Sequence, residues 1–270
     1  MNKVLERTSI VPNIHLLVIE APEIVAKIEP GQFIIVMLDE KGERIPLTVA
    51  DWDENSITAV FMEVGTSTQK LTTLKADDVL PVVVGPLGLP LQIQSSGTVI
   101  CAGGCYGIAD IYPIARALKE KGNKVISVIE ARSKFLLYWE ERLRKVSNEL
   151  IIATMDGSAG RKGDAPMVLK ELVKSNQSIG HIFAMGCTFM MMECSEATKE
   201  SGIPTIVALN PIMVDGTGMC GACRVSIEGE TKFACVDGPN FDGHKVDWDL
   251  LRDRRQAYIT DEIHSSHKPH

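Results

Sequence analysis

Up to about residue 95, apolar and polar positions alternate in short runs: "HLLVIEAP", "GQFIIVML", "IPLTVADW", "SITAVFMEV" and "DDVLPVVVGPLG". A period of two sends one face of each run into a core and the other outward. Pro30-Gly31, Lys41-Gly42, Val84-Gly85-Pro86 and Leu87-Gly88 punctuate the runs with residues that fix or free φ. Strands at this spacing predict a small antiparallel β-barrel over residues 1–95.

From about residue 96 the period changes. "TVICAGG" reads as an apolar strand, "IADIYPIARALKEKG" as a helix and "KVISVIEARS" as the next strand. "KVSNELIIATMDGS", "DAPMVLKELVKSN", "HIFAMGC", "MMMECSEATKESG" and "PTIVALN" continue the alternation, which predicts a doubly wound parallel sheet over residues 96–206. The alternation stops near residue 207. Residues 207–245 hold a Gly/Cys segment and a hairpin, "ACRVSIEGETKFACVDG". Residues 246–270 hold a helix, "VDWDLLRDRRQAYITDEI", and a tail whose three histidines could meet a metal. The expected fold is thus α/β plus β, in three domains and a C-terminal helix.

Composition narrows the function classes. The chain has 270 residues, 45% hydrophobic and 23% charged, enough for one large or two to three small domains. No apolar run approaches the roughly 18 residues of a membrane span. The opening residues lack the basic, apolar, small-residue order of a signal peptide, so a cytoplasmic location is expected. A net charge of −7 without basic-aromatic clusters argues against a nucleic-acid partner. Of the seven cysteines, three cluster, which favours ligation over a disulfide framework. Cys101, Cys105, Cys187 and Cys194 stand in apolar surroundings and read as buried small hydrophobes.

"AGGCYGIAD" lies between an apolar strand and a helix, and Gly103, Gly104 and Gly107 there would let backbone N–H groups approach a pyrophosphate. Alternatively, it is a tight corner. Glu130 ends the next strand, where an acid can accept hydrogen bonds from a ribose 2′-hydroxyl; Arg132 could instead meet a 2′-phosphate. NADH is favoured and NADPH stays open. Two further turns, one with Asp156 and one with Gly186 and Cys187, follow apolar strands and fall at the same carboxyl edge.

In the barrel region, "RIPLTVAD" suits the edge of a flat ring and "VGTSTQKL" a phosphate. The most specific signal is Asp215, Cys220, Cys223 and Cys235, spaced D-x4-C-x2-C-x11-C. Cys-x2-Cys brings two thiolates onto one iron or zinc, and plant-type [2Fe-2S] sites place a cysteine where Asp215 stands. Asp215 reads as the fourth ligand. A turn residue beside a water or a partner's cysteine is the alternative, and zinc in an interaction module is the non-enzyme one.

Barrel, nucleotide domain and terminal cluster module in this order resemble the ferredoxin-NADP reductase superfamily. Within it the chain is similar to the small subunits of NADH-dependent reduced ferredoxin:NADP+ oxidoreductases (Nfn type), which share "VDGTGMCGACRV" with aspartate first. The electron-transfer subunits of class B dihydroorotate dehydrogenase, the alternative, carry four cysteines. The resemblance implies FAD in the barrel, with its ring near Pro46, Leu47 and Thr48, and Thr48 hydrogen-bonded at flavin N5. Strand backbone at Val60 and Met62 would run beside it, with the pyrophosphate near Gly65, Ser67 and Thr68. It also implies NAD(H) as substrate and a larger flavin/[4Fe-4S] subunit in a heterodimer that reaches ferredoxin and bifurcates electrons. Three positions depart from the family pattern: Ile45 holds the slot of an arginine, Cys105 that of a third glycine and Asp110 that of a proline.

Overall fold

The computed structural model describes residues 2–39, 42–175 and 178–260. The chain divides into two compact units, one of residues 1–89, 210–239 and 246–270, the other of residues 90–209 and 240–245. The histidine-bearing tail lies outside the described residues.

The first unit is built on β1 (Asn2–Val11), β2 (Ile14–Glu20), β3 (Phe33–Met37), β4 (Ile45–Trp52), β5 (Ser56–Met62), β6 (Val79–Leu80) and β7 (Val82–Leu87), with short helices α1 (Pro22–Val25) and α2 (Thr66–Thr72). The order is β6-β1-β2-β5-β4-β3-β7, antiparallel throughout. The edge strands β6 and β7 are separated by Pro81 alone, so the sheet curls into a near-closed barrel. Alternate residues fill it: Leu17 and Ile19, Ile34 and Val36, Leu47 and Val49, and Ile57, Ala59 and Phe61. Nothing in the hydrophobic pattern marks β1, because only Val4 of its ten residues is fully buried.

The second unit contains β8 (Thr98–Gly104), α3 (Gly107–Glu120), β9 (Lys124–Ala131), α4 (Glu140–Val146), β10 (Glu149–Thr154), β11 (Arg161–Lys162), α5 (Ala165–Lys174), β12 (Ile179–Met185), α6 (Thr188–Lys199) and β13 (Thr205–Ala208). The parallel order β11-β10-β9-β8-β12-β13 runs outward from β8 in one direction and from β12 in the other. The crevice beyond the carboxyl ends of β8 and β12 is therefore the topological switch point, where open α/β sheets bind ligands. β8 is buried on both faces through Val99, Ile100, Cys101 and Ala102, which explains its unbroken apolar run. Asn240–Asp242, not foreseen in the sequence, returns as an antiparallel strand on β13, too short and too evenly half-buried to leave a period.

Segment 210–239 of the first unit rests on the barrel's outer surface. Phe33 and Ile35 point away from the barrel core yet are buried. A Cβ on Gly216 would stand 2.6 Å from Ile35 Cδ1 and 2.8 Å from Leu87 Cδ1, so this residue (φ 74°) must be glycine for both contact and conformation. Leu89 N–H donates to Gly238 O at 2.6 Å. The expected hairpin forms as β14 (Arg224–Ile227) and β15 (Glu230–Phe233), turned at Glu228 and Gly229 with the two positive φ values that two-residue hairpins favour. Helix α7 (Trp248–Arg255) is capped by Asp247, which accepts from Leu250 N–H, and Arg254 Nη2 donates to Ala222 O at 3.1 Å. No helix among the described residues is long and apolar enough to cross a membrane.

Candidate functional site

At the switch point, glycines let two strand-to-helix turns touch. A Cβ on Gly107 would lie 2.1 Å from Met185 O, one on Gly103 2.6 Å from Gly107 O and one on Gly186 2.8 Å from Gly104 O. Tyr106 Oη donates to Gly186 O at 2.9 Å and Tyr138 Oη to Cys105 O at 2.8 Å, which braces the first turn from both sides. Neither tyrosine stood out in the sequence, since aromatic residues beside a helix read as packing. Cys101 and Cys194 are buried as expected, but Cys105 is exposed and Cys187 half-buried. Cys105 sits in a left-handed turn (φ 53°) that carries its side chain off the sheet, and Cys187 caps α6.

Glu130 turns toward Gly104, where an added Cβ would stand 2.9 Å from its Cγ, and its Oε2 accepts Ala165 N–H at 2.7 Å. Burial pushes its carboxyl up to about 7, against the pull of that N–H. Arg132 is exposed, and its carbonyl accepts Asp156 N–H at 3.2 Å. Asp156 is exposed and held down to about 2 by Ser158, whose hydroxyl and N–H both donate to Oδ1, at 2.6 and 2.9 Å. Lys134 N–H in turn donates to Ser158 Oγ at 2.7 Å. Gly103, Gly104, Gly107, Gly186 and Cys187 are thus brought together, whereas Arg132 follows β9, one strand along, and Asp156 follows β10, two strands along.

In the first unit, Pro46 and Thr48 are half-buried on the face of β4 opposite Leu47 and Val49. Exposed Arg44 is in phase with them, and Ile45 packs against the barrel core. On β5, Val60 and Met62 alternate with core residues Ala59 and Phe61. Gly65 precedes α2, and Thr68 Oγ1 accepts from Val64 N–H and Gly65 N–H at 2.9 and 3.0 Å. The Ser67 hydroxyl donates to Glu43, a residue sequence reasoning passed over because nothing local links the two.

Asp215 accepts two backbone N–H groups, from Thr217 at 2.7 Å and Cys220 at 2.6 Å, which hold its carboxyl below the usual range. The Cys223 and Cys235 sulfurs stand 3.2 Å apart and both residues are buried. Burial, and then the hydrogen bond with Cys223, push Cys235 up to about 12. Ala222 N–H points to Cys220 Sγ at 3.4 Å and Gly218 N–H to the Cys235 sulfur. The spacing suggested Cys220 with Cys223 on one ion; here Cys223 pairs with Cys235, and Asp215 with the Cys220 backbone. No group of three or more such side chains gathers around a single ion position among the described residues. Two donor pairs with amides aimed at the sulfurs suit a two-iron group: one pair would be all thiolate, the other thiolate and carboxylate.

Residues 210–247 match the family described as the iron-sulfur cluster binding domain of dihydroorotate dehydrogenase B. The chain is 44% identical to a dihydroorotate dehydrogenase B (NAD(+)) electron transfer subunit homolog of Thermotoga maritima, over 97% of this chain and 93% of that protein. A probable electron transfer subunit of the same enzyme from Methanopyrus kandleri is 32% identical, over 82% and 81%. Among solved structures, an NADH-dependent reduced ferredoxin-NADP oxidoreductase, described for flavin-based electron bifurcation, superposes with a TM-score of 0.93 at 42% identity, covering 98% of this chain and 96% of that one. A ferredoxin NADP+ reductase of Neisseria gonorrhoeae superposes at 0.62 with 16% identity, over 74% and 90%, and shows a shared fold.

Proposed function

The chain belongs to the family of dihydroorotate dehydrogenase B electron-transfer subunits and their homologues, and from that premise we propose that it is the NADH-side subunit of an electron-bifurcating ferredoxin:NADP+ oxidoreductase. It is an oxidoreductase electron-transfer subunit of ferredoxin-reductase fold. The observation that carries the finer reading is Asp215, which stands paired with Cys220 where the dihydroorotate type has a cysteine.

FAD would be held by the Pro46 to Thr48 backbone, by Val60 and Met62 along β5, and by Gly65, Ser67 and Thr68 at the start of α2. A [2Fe-2S] cluster would be held by Asp215, Cys220, Cys223 and Cys235. Bound FAD supplies the exchange between a two-electron hydride and single electrons, which nicotinamide and cluster cannot make directly. Thr48 Oγ1, on the side of β4 away from the barrel core, offers a hydrogen bond at flavin N5. Gly103, Gly104 and Gly107 open the N-terminus of α3 to a pyrophosphate, and Glu130, packed against Gly104, would accept from a ribose 2′-hydroxyl, with Arg132 left for a 2′-phosphate. Gly218 and Ala222 direct N–H groups at two of the cluster sulfurs and steady their negative charge.

The chain acts with a larger subunit that carries flavin and [4Fe-4S] clusters and meets ferredoxin. Anaerobic purification with that partner, followed by iron, flavin and turnover analysis, tests the reading. Ferredoxin-coupled NADP+ reduction by the pair and none by this chain alone is the expected result. Dihydroorotate oxidation on adding that enzyme's catalytic subunit would instead favour the second reading, which the names of the relatives support.

A further inference from the structure

Two cysteines outside the cluster segment face each other across the switch point. β8 and β12 run parallel with Gly103 opposite Met185, and two residues beyond that pair on each strand stand Cys105 and Cys187. The residues just before them touch, since a Cβ on Gly186 would stand 2.8 Å from Gly104 O, and a disulfide needs Cα atoms within roughly 4.4–6.8 Å. The glycines before them hold the turns close, and the Cys105 thiol hydrogen-bonds to Cys187.

We propose that Cys105 and Cys187 form a reversible dithiol–disulfide pair that takes low-molecular-weight disulfides as its oxidant and lowers nucleotide binding when oxidised. The second half of the proposal rests on the reading of this edge as the nucleotide site.

The two sulfurs differ in the way such an exchange requires. Cys187 is the N-cap of the twelve-residue helix α6, whose dipole favours thiolate charge there, while the Glu130 carboxyl opposes it when charged. Cys105 donates its proton toward that sulfur, and this hydrogen bond keeps its own thiol protonated. Glu130 opposes negative charge at Cys105 and Arg132 favours it. Cys187 is therefore the attacking sulfur and exposed Cys105 the resolving one.

In the first step, Cys187 thiolate attacks one sulfur of the oxidant, breaks its S–S bond and releases one thiolate, leaving a mixed disulfide. Cys105 then gives up its proton to solvent and attacks the Cys187 sulfur. The Cys105–Cys187 bond forms and the second small thiolate leaves. Two electrons pass from the protein sulfurs to the oxidant, and the two released thiolates take up two protons.

Cys105 occupies the slot where a third glycine would clear the way to the α3 N-terminus. As a free thiol it can rotate; as half of a disulfide its sulfur is fixed across the turn. A pyrophosphate then meets a bridge of sulfur above Gly104 and Gly186.

The test treats the cluster-loaded chain, under exclusion of oxygen, with oxidised glutathione, followed by peptide mass spectrometry and NADH binding. Expected are a Cys105–Cys187 cross-linked peptide that lacks two hydrogens, a fall in NADH affinity of about tenfold or more, and recovery of both with dithiothreitol. Cys105→Ser should leave a stable glutathione adduct on Cys187 and retain NADH binding before oxidation. Glutathione adducts without a cross-link in the unsubstituted chain would overturn the pair. A cross-link with unchanged NADH affinity would overturn its effect on nucleotide. A cross-link in a protein that binds no NADH even when reduced would uphold the dithiol and overturn the nucleotide reading.

Discussion

Glu130 accepts the backbone N–H of Ala165 at 2.7 Å while packed over Gly104, which makes it a half-buried acid that caps the start of α5. Its folded value, about 7, lies above the ordinary 4.5 because burial disfavours the charge, with Asp164, Cys187 and Glu193 adding to the effect. A raised carboxyl binds its proton more tightly folded than unfolded. Its contribution is thus fully present below pH 4.5 and is lost as pH rises through about 7. Glu130→Gln keeps an acceptor for Ala165 and carries no charge. Urea midpoints at pH 5 and 8 should fall with pH in the unsubstituted chain by up to about 3 kcal/mol more than in the variant. Equal slopes would show that the Glu130 carboxyl is not raised in the folded chain.

Barrel and parallel sheet were legible because one-sided and two-sided burial leave different periods, as in β4 and β8. The hairpin was legible from Glu228-Gly229 between two apolar stretches. What escaped is tertiary. The direction of Glu130 depends on Ala165, thirty-five residues away. The exposure of Cys105 depends on a left-handed φ that its neighbours impose, and β1 shows too little burial to be seen. The four cluster residues could be named from spacing, but their division into pairs needed the fold, because Cys235 returns beside Cys223 only after the hairpin turns.

Pro46 and Thr48 share one face of β4 and Ile45 the other, and exposed Arg44, one residue before the strand, is in phase with the face proposed here for flavin. Arg44→Ala should weaken FAD retention about tenfold, measured as flavin left after gel filtration, with little change in melting temperature. Ile45→Ala should do the reverse: about 1–2 kcal/mol of stability lost from a partly buried core site, with flavin retained. If Arg44→Ala keeps its flavin, the pyrophosphate charge is met elsewhere.

Gly107→Ala places a methyl 2.1 Å from Met185 O and 2.6 Å from Gly186 N, both backbone atoms that no rotamer can move. The turns of β8 and β12 must separate. Overpacking of this kind costs about 1–3 kcal/mol, so the melting temperature should drop by several degrees. NADH binding should weaken with it, while iron and flavin content, held by the other unit, should be preserved. A variant that binds NADH normally would show that contact between the two turns is not what shapes the nucleotide edge.

Asp215 accepts N–H groups from Thr217 and Cys220, so its carboxylate is oriented before any metal arrives. A carboxylate carries the same charge as a thiolate but is a harder donor that favours ferric iron, and unlike the three sulfurs it can be protonated under mild acid. Asp215→Cys should therefore retain two irons and all flavin, shift the EPR signal of the reduced cluster, and remove the pH dependence of its potential at the acid end. Asp215→Ala should lose iron but keep the barrel fold, since the carboxylate contacts only the loop that carries it. An unchanged EPR spectrum in Asp215→Cys would mean that Asp215 shapes the loop without touching iron. The choice between a bifurcating subunit and a dihydroorotate-type subunit would then lose its main structural support.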